Sequence, residues 1–175
     1  MGFFDKLFGG KSKDENTAKF TNQSKTVLTP LQGKVLAQAD IPDETFAQGI
    51  LGPGCGIEPT GDTVYAPFDG TVTQIATTLH AVGITSNDGI ELLIHVGIDT
   101  VNLKGEGFDV KVKNGDRIEE GTPLVTFDRS VIEKAGYPLV TPVIVLNADA
   151  FDTVDPVKLG PVSHGDPLLD VQKKA

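Results

Sequence analysis

The pattern Thr26-Val27-x-x-Pro30-x-x-Gly33-x-Val35-x-x-x-Ala39 returns 37 residues later as Thr63-Val64-x-x-Pro67-x-x-Gly70-x-Val72-x-x-x-Ala76. A shorter echo, Gly121-x-Pro123-Leu124 and Gly165-x-Pro167-Leu168, recurs at a spacing of 44. Each copy of the longer unit is a pair of short runs containing Val and Thr, separated by a Pro and a Gly, so each reads as strand, turn, strand. A single unit of this kind cannot bury its own apolar face. Two copies imply a sandwich closed by pseudo-symmetric halves. From Thr26 onward the chain keeps to short strands punctuated by Gly and Pro. The expected fold class is therefore all-β, an antiparallel β-sandwich or barrel-sandwich with an internal duplicated hybrid motif and minor short helices. Val112 to Gly121 has the turn-rich character of barrel-sandwich domains, and Ser130 to Ala135 reads as a brief helix behind Asp128.

At 175 residues the chain fits one domain, over 26–175, behind a leader of residues 1–25. The single cysteine, Cys55, cannot form an internal disulfide. No apolar run approaches the ~20 residues that span a bilayer, and no secretory signal is present, so a cytoplasmic setting is expected. The formal net charge is −9 and the pI about 4.7, which argues against nucleic acid as a partner. That charge is unevenly placed. Residues 1–25 hold five lysines against Asp5, Asp14 and Glu15, net +2, while the other 150 hold 10 basic and 21 acidic side chains, net −11. An acidic body suits a basic protein partner. Within the leader, Phe4, Leu7 and Phe8 make an apolar stripe beside Lys6, so residues 1–8 are expected to touch a membrane surface weakly, at its inner face. The N-myristoylation pattern fails, because Lys6 stands where Ser or Thr is needed.

The chemistry concentrates in residues 89–101, Gly-Ile-Glu-Leu-Leu-Ile-His-Val-Gly-Ile-Asp-Thr-Val. In an extended chain Ile90, Leu92, Ile94 and Val96 share one face, a core face, and Glu91, Leu93 and His95 share the other. A lone strand histidine is commonly just a partly buried polar residue. A second one, His80, changes the reading, because Ser86-Asn87-Asp88-Gly89 marks a hairpin tip between them. A two-residue loop of Asn87-Asp88 places His80 directly opposite His95, and one of Asp88-Gly89 places it one diagonal away. The Cβ atoms are then roughly 5 or 7 Å apart on one face; a three-residue loop would break this. Two neutral imidazoles so placed can ligate a metal, move protons, or act as nucleophile and stabiliser for a phosphoryl group. No Cys or His cluster nearby completes a metal site, although an incidental zinc between His80 and His95 is compatible with the pair. His164 lies in a turn and is expected to be solvated.

The stretch Gly89-x-x-Leu92-Leu93-Ile94-His95-Val96-Gly97-Ile98-x-Thr100-Val101 resembles the active-site motif of the glucose-type enzyme IIA proteins of the bacterial phosphoenolpyruvate:sugar phosphotransferase system. The resemblance runs from about Thr26 to the C-terminus and includes Pro67-Phe68-Asp69-Gly70, Lys104-Gly105-Glu106-Gly107-Phe108 and Thr141-Pro142-Val143. It implies a phosphocarrier that accepts a phosphoryl group on His95 Nε2 from the histidine-containing phosphocarrier protein, and passes it to the IIB domain of a sugar permease. It further implies that His80 supports the phosphoryl group, that Thr78, two residues back on the same strand face, holds the His80 ring, and that the Gly97 carbonyl accepts a hydrogen bond from His95 Nδ1. No cofactor is required on this reading. Asp43 and Asp99 match acidic positions that meet an arginine of the donor, and Phe46, Leu93 and Val96 match positions on an apolar docking rim. The family's rim aromatics are missing at Ala76, Leu93 and Val96, and Leu146 replaces a small hydroxyl residue. For Phe46, a cap on the core is the competing reading.

Two alternatives come from other classes. A zinc-dependent lysostaphin-like hydrolase shares the Ala-Pro-x-x-Gly-x-Val strand but needs a His-x-His pair and a separate His-x-x-x-Asp, whereas His95-Val96-Gly97 ends on Gly and His80-Ala81-Val82-Gly83-Ile84 ends on Ile. A non-catalytic β-sandwich binding module, including a biotin- or lipoyl-carrier, would explain Pro67 to Val72. The carrier needs a lysine at a hairpin tip, flanked by Met in the biotin case, and the one Met here is Met1.

Overall fold

In a computed structural model of the protein, residues 24–174 are described. Residues 1–23 carry the leader's apolar stripe, so the membrane-contact reading lies outside the described residues. The remaining two leader positions already belong to the first strand.

Fourteen strands are found among the described residues: β1 (Ser24–Leu28), β2 (Gly33–Ala37), β3 (Gly54–Pro59), β4 (Thr63–Tyr65), β5 (Gly70–Ile75), β6 (Ala81–Ser86), β7 (Glu91–His95), β8 (Phe108–Val110), β9 (Arg117–Ile118), β10 (Pro123–Phe127), β11 (Thr141–Val145), β12 (Phe151–Pro156), β13 (Gly160–Val162) and β14 (Pro167–Lys173). They form two three-stranded sheets, β1-β14-β12 and β4-β10-β8, and one eight-stranded sheet, β13-β2-β3-β11-β7-β6-β5-β9. Every registered pair is antiparallel. The repeat is visible strand by strand. β1 and β2 of the first copy correspond to β4 and β5 of the second, and the shorter echo opens β10 and β14, the central strands of the two small sheets. The large sheet reads the same from both ends, with β11 and β7 at its middle. The repeated glycine has a steric cause. A Cβ on Gly33 would lie 2.2 Å from the Glu58 carbonyl oxygen, and one on Gly70 2.1 Å from that of Thr85, so each copy needs a bare backbone where its neighbouring strand crosses.

Two short α-helices are found among the described residues, α1 (Glu44–Ala47), capped by Asp43, and α2 (Arg129–Lys134), capped by Asp128. Val27, Val35, Val64, Val72, Ile84, Leu92, Ile94, Leu124 and Leu168 belong to one core between the sheets. A second, smaller cluster of Ile41, Phe46, Ala81, Leu93, Ile98, Val140 and Ile144 lies on the other face of the large sheet. The connection bearing α1 covers part of that face.

The hairpin carrying both histidines closes differently from either expected loop. Ser86 N–H donates to Ile90 O at 2.9 Å and Gly89 N–H to Ser86 O at 3.0 Å, enclosing the three residues Asn87-Asp88-Gly89, with Gly89 at φ 100. Ala81, not His80, therefore stands opposite His95. The apolar faces decide the register: it pairs Ile84 with Leu92 and Val82 with Ile94, whereas a shift of one residue would set Ile84 against Glu91. Ile90 N–H also donates to the Ser86 hydroxyl at 2.9 Å, a local lock on the three-residue closure.

Candidate functional site

Continued as a strand, the observed register would send the residue before Ala81 to the core side, where its neighbour Val96 is 1% exposed. The chain avoids this by leaving extended conformation. Leu79 takes the left-handed conformation at φ 66, its N–H donates to Ala76 O at 2.8 Å, and the His80 carbonyl accepts from Val96 N–H at 2.7 Å. For a leucine that conformation costs roughly 1–2 kcal/mol, offset here by packing of Leu79 against the main core. The bend carries the His80 imidazole to His95, with ring centroids 4.6 Å apart and the rings edge to face at 82°. Thr78 lies in the same turn rather than on the strand face expected of it; its Oγ1 is 2.9 Å from His80 Nδ1.

His95 ends β7, and its Nδ1 is 2.8 Å from the Gly97 carbonyl oxygen. A carbonyl can only accept, so Nδ1 carries the hydrogen and Nε2 keeps its lone pair. Gly97 turns at φ 78, and a Cβ there would lie 2.6 Å from Thr100 Cγ2, so the turn that aims this carbonyl needs glycine. Burial, reinforced by the charge of a protonated His80, lowers the His95 pKa to about 4, against the opposing pull of the Gly97 hydrogen bond and the Asp43 carboxylate. Burial likewise lowers the His80 pKa, opposed by its hydrogen bond with the Thr78 backbone. Both rings are thus neutral near pH 7. The Phe46 ring covers one side of His95 at 4.9 Å, tilted by 55°.

Asp43 approaches from the same connection, its carboxylate accepting from Phe46 N–H at 3.2 Å as the cap of α1. Asp99 is exposed, at φ 61, where a short 3-10 turn (Thr100–Leu103) begins. The expected apolar rim needs correction. Val96 points into the main core, because it shares the strand face of Leu92 and Ile94, and Leu93 is 7% exposed within the second cluster. Neither side chain offers a partner much surface. Phe46 is also buried, so it is a cover for His95 more than a projecting anchor. The exposed large apolar side chains on the flanking connections are Ile50, 67% exposed, and Val101, 49% exposed. Sequence reasoning passed over both. Val101 stood inside the quoted motif, but its exposure depends on the 3-10 turn; Ile50 lies beyond the α1 helix in a loop without periodicity.

Among the described residues no three His, Cys, Asp or Glu side chains come together to hold a metal ion. His80 and His95 offer two imidazoles, fewer than the three protein ligands of a catalytic zinc site, so the zinc-hydrolase alternative lacks its centre. His164 is exposed as expected, and its ring also stacks on Tyr65 with centroids 4.0 Å apart. Cys55 is buried, its thiol pushed up to about 12 by desolvation, and is unsuited to act as a nucleophile.

A duplicated antiparallel β-sandwich that presents one neutral imidazole nitrogen beside a second imidazole has the chemistry for proton transfer or for nucleophilic attack by histidine. Comparison with known proteins gives the family. Residues 25–151 match the model of the phosphoenolpyruvate-dependent sugar phosphotransferase system, EIIA 1, and the chain belongs to that family, a component of the sugar phosphotransferase system. It is 44% identical over 146 residues to the PTS system glucose-specific EIIA component of Halalkalibacterium halodurans, covering 83% of this chain and 84% of that one. It is also 44% identical over 149 residues, 85% of this chain, to the PTS system beta-glucoside-specific EIIBCA component of Dickeya chrysanthemi, of which it spans 24%, about a quarter of that longer protein. Among solved structures, glucose permease IIA from Mycoplasma capricolum superposes with a TM-score of 0.76 at 33% identity, over 86% of this chain and 97% of that one. No helix among the described residues is long and apolar enough to cross a membrane.

Proposed function

We propose that this chain is a phosphocarrier that takes a phosphoryl group onto His95 Nε2 from the histidine-containing phosphocarrier protein and hands it to the IIB domain of a sugar permease, at the cytoplasmic face of the membrane. The observation that carries the reading is the tautomer of His95. With Nδ1–H given to the Gly97 carbonyl at 2.8 Å, the lone pair of a neutral ring is left on Nε2, beside His80.

In the transfer, the Nε2 lone pair forms the new N–P bond while the donor's N–P bond breaks and its electron pair returns to the donor imidazole. The protein's part is positioning and charge stabilisation as negative charge spreads over the phosphoryl oxygens. His80 Nδ1 lies 2.9 Å from Thr78 Oγ1; in the tautomer in which Nδ1 accepts from that hydroxyl, Nε2 carries the hydrogen and can give it to a phosphoryl oxygen. Reversal of the same steps delivers the group to the acceptor, so neither metal nor cofactor is required. Asp43 and Asp99 lend the approach a negative potential that discourages free phosphate and favours a basic donor protein. The fusion of EIIB, EIIC and EIIA that the name of the Dickeya chrysanthemi relative records supports a IIB acceptor.

Incubation with phosphoenolpyruvate, enzyme I and the phosphocarrier protein is expected to add one acid-labile, base-stable phosphate. Label that persists undiminished in His95→Ala would overturn the assignment.

A further inference from the structure

The connection between β2 and β3 brings the Phe46 ring and the Asp43 carboxylate to His95, yet only the four residues of α1 are helical beyond its opening 3-10 turn (Gln38–Asp40). Its far half is a series of turns: Gly49 and Gly52 both have positive φ, 74 and 144, Gly49 N–H donates to Phe46 O and Gly52 N–H to Gly49 O at 3.1 Å each, and Ile50 is mostly solvent-exposed. One side chain spans the whole segment. Gln38 Nε2 donates to Phe46 O at 2.9 Å and to Gly52 O at 2.8 Å, and its Oε1 accepts from Gly54 N–H at 3.2 Å. Both amide hydrogens and the amide oxygen are used, and they join the helix, the end of the loop and the first residue of β3.

We propose that Gln38 is a positioning residue for the phosphoryl-acceptor site, its amide clamping the 43–53 connection so that the Phe46 ring stays on His95 and keeps water from that side of the imidazole. The proposal deepens the phosphocarrier reading and rests on it for its functional consequence. The geometry argues for it directly. The carbonyl that Gln38 holds belongs to Phe46 itself, and Phe46 is the aromatic side chain in ring contact with His95. A glutamine kept only to fill space would not need both amide donors and its oxygen satisfied by backbone 8, 14 and 16 residues further along the chain. Burial is the leading cause of the low His95 pKa, so the exposure of His95 reports whether the clamp is closed.

The test uses the full-length chain and follows the His95 ring nitrogens by NMR against pH. In Gln38→Leu the midpoint is expected to rise by at least one pH unit from about 4, and acceptance of phosphate from the phosphocarrier protein to slow several-fold. Gln38→Met, a flexible filling, keeps the experiment readable if the leucine variant does not fold. Phe46→Ala should produce the same rise, and Gln38→Leu/Phe46→Ala no more than Phe46→Ala alone, because one residue acts through the other. A wild-type midpoint in the folded Gln38 variants, or additive shifts in the double variant, would reduce Gln38 to an ordinary structural brace and overturn the proposal. Failure of the wild-type chain to accept phosphate would instead refute the phosphocarrier reading, while the titration arms would still decide whether the clamp exists.

Discussion

The low pKa of His95 ties the site's chemistry to the stability of the fold, and the sign is fixed by burial. In the unfolded chain the imidazole takes up a proton near pH 6.5, whereas in the folded chain it stays neutral down to about 4. The stability gained from burying the neutral ring is complete above the unfolded value and is lost as pH falls from about 6.5 towards about 4. That gap, at about 1.4 kcal/mol per pH unit, is worth about 3 kcal/mol in all, of which linkage places about 2 kcal/mol between pH 7.5 and 5.0. Urea unfolding of the wild-type chain and of His95→Gln at both pH values isolates this contribution, because the other titrating groups remain in both. Wild-type is expected to lose about 2 kcal/mol more than the variant over this interval. His80, whose pKa is also lowered by burial, gives the variant a residual slope of the same sign. Ring-nitrogen NMR supplies the independent check, with one midpoint near 4 and the hydrogen on Nδ1 throughout neutral pH. Parallel losses in the two proteins, or a His95 midpoint near 6.5, would refute the account of a desolvated, neutral nucleophile.

His80→Gln is expected still to accept phosphate but to pass it to a IIB domain about tenfold or more slowly, because the donor aimed at the phosphoryl oxygens matters most as charge moves to the acceptor; equal losses in both half-reactions, measured by rapid quench, would contradict that division. Gly97→Ala forces a Cβ to 2.6 Å from Thr100 Cγ2 and 3.1 Å from Pro138 O at φ 78. It is expected to cost about 2 kcal/mol or more in urea unfolding and to release His95 Nδ1 from its carbonyl, visible as mixed tautomers in the ring-nitrogen spectrum.

How far the site could be read from sequence depends on which constraint was applied first. The duplicated unit was sufficient for the fold, since its glycines mark the backbone crossings at Glu58 and Thr85. The hairpin register could also have been read. Val82 and Ile84 had to share a face with Leu92 and Ile94, and that requirement alone demands the odd-length loop found at Asn87-Asp88-Gly89. Pairing the histidines first hid it. What could not be read was how the rings meet, because it depends on Leu79, a residue type that rarely adopts the left-handed conformation it has here. The burial of Phe46 and Leu93 was hidden for a related reason. Strand alternation assigns Leu93 to the outer face, and only the folded connection over that face makes it a second interior.

That connection explains how a duplicated fold yields a single, unsymmetrical site. β2–β3 and β5–β6 are equivalent pairs in the two copies, and their connections, residues 38–53 and 76–80, lead towards the central strands β11 and β7. The two connections leave the large sheet at opposite ends, and the long one folds back over the sheet face, with Ile41 against Gly56, to reach His95. The short one has room for a bend and nothing more, and it supplies Thr78, Leu79 and His80. The long one has room for a helix and a clamp, and it supplies Asp43, Phe46 and the amide of Gln38. His95 sits where they converge, with a hydrogen-bond donor from one copy and an apolar cover from the other. A nucleophile that must be neutral, dry on one side and open at Nε2 needs both kinds of neighbour, and unequal insertions into one repeated connection provide them on a sheet that the repeat itself keeps rigid.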